Sequence, residues 1–84
     1  MNIFRSLFRE GGDRNDGSTP EKAIVVGSVA EEYAWMRSNC RGWQPDVQFV
    51  EEIDGKDYDV HRLSNSRGES RTLYFDISSF YGKY

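Results

Sequence analysis

The chain has 84 residues, enough for one domain, with 37% hydrophobic, 14% aromatic and 30% charged residues. Such a length buries only about 60% of the unfolded surface, so any fold stands on a small core. A net charge of −3 and a pI of about 5.0 leave no basic stripe for nucleic acid, one cysteine excludes an internal disulfide framework, and no apolar run is long enough to span a membrane.

Residues 1–10 place Ile3, Phe4, Leu7 and Phe8 on one helical face, with Arg5 and Arg9 beside it. The stretch reads as a terminal arm that docks on the body or stays disordered; a membrane or partner contact is the alternative. It lacks the apolar run of a secretory signal, so a reducing, cytoplasmic location is expected. Residues 11–18, GGDRNDGS, carry no apolar side chain and read as a linker. The division is thus a flexible arm and linker, 1–18, and a single α+β domain, 19–84.

The β-branched run Ala23-Ile24-Val25-Val26 predicts a short buried strand over 22–26, with a helix over 19–26 as the alternative. Ser28 and Glu31 form a capping box, Glu31 and Glu32 suit the positive end of the helix dipole, Arg37 and Arg41 suit the other end, and Gly42 is a natural stop. These signals agree on one helix, 28–42. At ~100° per residue its core stripe is Val29, Tyr33, Met36 and Cys40, with Trp35 on the opposite side. Trp35 is either covered by a loop or an aromatic anchor for a partner.

Beyond Pro45 the pattern turns to period two. Asp54-Gly55 suits a type I′ hairpin that pairs Ile53 with Lys56 and Phe49 with Val60. Val47, Phe49, Ile53, Tyr58 and Val60 then share a face directed at the helix. Leu73, Phe75 and Ile77 alternate in a last strand, 71–77. A loop centred on residues 66–69 pairs Val60 with Phe75 and Tyr58 with Ile77, which carries the apolar face across three strands. The expected fold is therefore α+β: a short strand, a central helix packed on one sheet face, then a three-stranded antiparallel meander. Residues 78–84 form a tail from which Phe80 or Tyr81 returns to the core.

In that register the outer face carries Gln48, Val50, Glu52, Asp57, Asp59, His61, Tyr74 and Asp76. Its pairs Glu52–Asp57 and Asp59–Asp76 set acid against acid, which is destabilising; the face either splays these side chains into water or forms an acidic patch that recruits a basic partner surface. The lone histidine, His61, has Asp59 two residues away and Tyr74 opposite, a group capable of acid–base work if a pocket enclosed it. Cys40 sits at a helix C-terminus, where the dipole opposes a thiolate, and reads as a core residue. Sheet-mounted carboxylates lack the wrapping loop of a calcium or magnesium site, and no zinc, phosphate-loop or nucleophile-elbow spacing is present, so no metal or cofactor is expected.

The leading functional reading is a non-catalytic protein-interaction module. It uses the acidic face, Trp35 or an exposed strand edge (46–53 or 71–77), and its partner carries a basic surface. Homodimerisation through an edge is a further possibility. The alternative is a small ligand-binding protein or enzyme centred on His61 with Asp59, Tyr74 and Asp76.

Overall fold

A computed structural model describes residues 15–82; the expected N-terminal arm, residues 1–10, lies outside them. The order of elements is β1 (Ile24–Val25), α1 (Val29–Asn39), β2 (Trp43–Ile53), β3 (Lys56–Asn65) and β4 (Ser70–Asp76). The strands form one sheet in the order β1-β4-β3-β2. This is the expected α+β arrangement of short strand, helix and meander. β1 is parallel to β4 and the other pairs are antiparallel. Because β1 and β2 lie at opposite edges, α1 carries the chain across the sheet. Among the described residues no helix is long and apolar enough to cross a membrane.

Residues before β1 form neither a strand from 22 nor a helix over 19–26. Pro20–Lys22 is a single 3-10 turn, with the Thr19 hydroxyl accepting from the Lys22 N–H and Pro20 at its start. Gly17, which the sequence places in the linker, is part of the folded body. Its N–H donates to the Lys22 carbonyl, and its carbonyl accepts from the Tyr74 N–H, both at 2.7 Å. A Cβ there would lie 2.7 Å from Ile24 Cδ1, and its φ is +80°, so only glycine fits.

The helix starts as its capping box requires. Ser28 Oγ accepts from the Glu31 N–H at 3.2 Å, and the Glu31 carboxylate reaches one residue further back than expected, to the Gly27 N–H at 2.7 Å. Its phase differs from the expectation. Glu32, Met36 and Cys40 are buried, and Trp35 is half-buried with its ring edge-on to Phe75 at 5.8 Å. Val29 and Tyr33, assigned to the core stripe, are 53% and 44% exposed.

The first hairpin follows the expected register from Ile53–Lys56 to Phe49–Val60. Asp54 and Gly55 both have positive φ, as a type I′ turn needs. A bulge at Asp46 then shifts the pairing, so that Pro45 faces Leu63.

The second hairpin corrects the sequence reading. Its loop has three residues, Ser66, Arg67 and Gly68, closed by Asn65 N–H to Glu69 carbonyl and Gly68 N–H to Asn65 carbonyl bonds. The Asn65 side chain accepts from the Arg67 and Glu69 N–H groups, and Gly68 takes φ +80°. A loop one residue shorter than expected slides the strands by one. Val60 pairs with Tyr74, Tyr58 with Asp76, Asp59 with Phe75 and His61 with Leu73. Because side chains alternate with period two, the slip exchanges the faces of β3. Asp59 and His61 point at the helix, and Tyr58 and Val60 point away.

The main core joins Ile24, Val26, Met36, Cys40, Leu63, Leu73, Phe75 and Ile77, with Trp35, Trp43 and Phe80 packed against it. A smaller cluster of Ala23, Tyr58 and Val60, with Ile53 and Tyr74, lies on the far face. Since the Gly68 turn sets which face is which, Gly68→Ala should cost about 1–2 kcal/mol, the penalty of a left-handed non-glycine residue. No atom crowds that position, so the loss is conformational alone. Urea unfolding measures it, and an unchanged midpoint would show that the turn does not constrain the register.

Candidate functional site

The exchange of faces brings together a polar group beneath α1. Glu32, from the first turns of the helix, is 0% exposed; Asp59 and His61, two residues apart on β3, are 6% and 1% exposed. His61 Nε2 lies 3.0 Å from Glu32 Oε1 and 3.6 Å from Asp59 Oδ2. Gln48, opposite His61 on β2, donates from Nε2 to Asp59 Oδ1. The His61 ring is flanked edge-on by Tyr33 at 5.9 Å and Phe75 at 5.6 Å.

Two atoms of the group, Glu32 Oε2 and His61 Nδ1, are buried without a hydrogen-bond partner among the described residues. Each such atom costs roughly 1–3 kcal/mol. Burial pushes the Glu32 carboxyl above its ordinary range; the His61 hydrogen bond opposes this, and the Asp59 carboxylate adds to it. No Lys or Arg is paired with either carboxylate among the described residues.

Sequence reasoning joined His61 and Asp59 to Tyr74 and Asp76. The structure keeps the first two together and separates them from the others. Tyr74 lies on the far face, its ring 6.3 Å from Tyr58. Asp76 pairs with Tyr58, accepts from the Ser78 N–H and sits 3.9 Å from Lys56 Nζ. The pair Asp59–Asp76 therefore does not form, although Glu52–Asp57 does. Trp35 is largely occupied with Phe75. Glu32 is the member that sequence reasoning missed, because a glutamate in a first helical turn reads as a response to the helix dipole.

Two further features lie on the β2 side. The strand is a sheet edge, and residues 44–52 are all exposed, Val47, Phe49 and Val50 by more than 40%. Beside its start, a cleft of about 200 Å³ opens between α1 and the sheet. Met36, Cys40, Trp43, Pro45 and Leu63 line it, together with the exposed Tyr33 and Arg37. Burial pushes the Cys40 thiol up, with Arg71 opposing, which disfavours the thiolate.

No protein-family model matches the chain. No curated protein and no solved structure matches it either. The functional reading therefore rests on the geometry above.

The raised Glu32 pKa fixes the sign of a pH effect. The fold favours the protonated carboxyl, so the stability tied to it is complete below the unfolded value of about 4.3 and is lost as pH rises through the folded value. Glu32→Gln, neutral and of the same shape, should raise the urea midpoint at pH 7 in chelator-treated buffer. The gain should vanish below pH 4. A variant less stable than the wild type at pH 7 would show that the ionised carboxylate is well compensated.

Proposed function

We propose that the protein is a non-catalytic interaction module that takes an extended segment of a basic partner protein along the edge of β2. The observation that carries this reading is that edge itself. It runs for eleven residues, its outer side is unpaired among the described residues, it exposes Val47, Phe49 and Val50, and Trp43 and Pro45 at its start line a cleft against α1. Strand addition uses such elements in two ways: main-chain hydrogen bonds supply affinity, and neighbouring pockets read side chains.

The charge of the edge favours a basic partner. β2 contains Asp46, Glu51 and Glu52 and no Lys or Arg, and Asp57 stands opposite Glu52. Two copies paired along this strand would bring six carboxylates to one seam, which disfavours self-association. Pro45, the bulge at Asp46 and the acidic side chains also guard the edge against indiscriminate pairing. The His61-centred catalytic alternative loses support because Tyr74 and Asp76 lie across the sheet from His61 and Asp59.

The test is an NMR titration of the isotope-labelled full chain with an end-blocked peptide of alternating Val and Lys. Amide shifts should concentrate in residues 44–53 and along the cleft. Replacing Glu51 and Glu52 by Lys should weaken binding by about 5- to 30-fold, the worth of two exposed ion pairs at about 0.5–1 kcal/mol each. Absent shifts, or shifts confined to the far face or to β4, would overturn the proposal.

A further inference from the structure

The group beneath α1 has the composition and spacing of a metal site. Two carboxylates and one imidazole present ligating atoms that all lie within 4.8 Å of one another. Donors bound at about 2.0–2.2 Å to one ion in tetrahedral geometry stand roughly 3.3–3.6 Å apart. The distances of 3.0 and 3.6 Å from His61 Nε2 to the two carboxylates bracket that range, so small side-chain adjustments admit an ion. We propose that Glu32, Asp59 and His61 bind a divalent first-row transition ion of the Zn²⁺ type.

Three observations support this assignment beyond the clustering. Glu32 Oε2 is fully buried and has no protein partner among the described residues, so the carboxylate retains an unused buried acceptor. No Lys or Arg pairs with either carboxylate among the described residues, so no protein cation occupies the place of an ion. Finally, Gln48 holds Asp59 Oδ1, leaving Oδ2 on the side of His61 and Glu32. Such an outer partner is the usual means of orienting a ligating carboxylate.

The donor set selects the class of ion. Calcium and magnesium prefer six or more oxygen donors, whereas imidazole with carboxylates suits zinc and its divalent neighbours. Asp59 and His61 are fixed by one strand, and Glu32 closes the site from the helix. The sheet-mounted acids therefore obtain an enclosing element from α1. His61 would ligate through Nε2, the ring nitrogen that faces both carboxylates.

The test uses the full chain stripped with EDTA and titrated with ZnCl₂, followed by calorimetry and by the ring nitrogen signals of His61. The chain has one histidine, so that assignment is unambiguous. One equivalent should bind, Nε2 should move with the metal, and the melting temperature should rise. Gln48→Ala, at an exposed position, should lower the affinity by about 10–100-fold, the usual effect of losing an outer partner. Glu32→Gln should lower it at least as much while leaving the metal-free protein folded. Visible d–d bands with Co²⁺ should report tetrahedral donors in the wild type and weaken in both variants. An unmoved His61 ring, or an affinity unchanged in both variants, would overturn the site; binding elsewhere on the chain would give one of those two results.

Discussion

The pairing of β3 with β4 decides what this small protein hides and what it shows. Each strand offers an apolar and a polar set of side chains, and a slip of one residue exchanges them. The three-residue turn through Gly68 sets Asp59 against Phe75 and His61 against Leu73. From that choice follows a core in which an imidazole and two carboxylates lie among Phe75, Leu73 and Met36. From it also follows the displacement of Tyr58 and Val60 to a second cluster on the far face. The crossing of α1 from one sheet edge to the other then covers β4 and β3 and leaves β2 bare.

The result is a partial inversion of the usual order. Glu32, Asp59 and His61 are inside, while Val29, Tyr33, Val47, Phe49 and Val50 are more than 40% exposed. A chain of 84 residues has little core stability to offset buried polar atoms. Departures of this kind concentrate where function imposes its own requirements. Here they fall in two places. One is the row of exposed apolar residues on β2, which the proposed partner strand would cover, and the other is the polar group under α1, proposed here to hold a cation. The two are physically linked: Gln48 belongs to the exposed edge strand and holds Asp59 in the buried group.

Local signals in the sequence were legible and regional ones were not. The Ser28 cap, the Asp54-Gly55 hairpin and the alternation of residues 71–77 each depend on neighbours a few positions apart, and each appears where expected. The second register is not legible in the same way, because a four-residue loop gives a continuous apolar face while the folded chain uses three. The Asn65 side chain, which ties down the Arg67 and Glu69 N–H groups, favours three. The helix phase failed for a related reason. Val29 and Tyr33 look like core residues by hydropathy, yet the sheet beneath α1 presents His61 and Asp59, and Glu32 is the helix residue that answers them. The pairing of His61 with Asp59 was readable from their spacing of two. Their enclosure was not, because it depends on which way β3 faces.

The most direct measurement of this account is a set of proton NOEs from the His61 ring in the isotope-labelled protein. With β3 turned as described, the ring contacts Phe75 and Tyr33, and the Glu32 methylene protons lie close to it. NOEs to those three residues, with none from the Val60 methyls to the Phe75 ring, would establish the register and the buried group together. Strong NOEs between Val60 and Phe75, with the His61 ring open to solvent, would place β3 the other way round and remove the basis for the site.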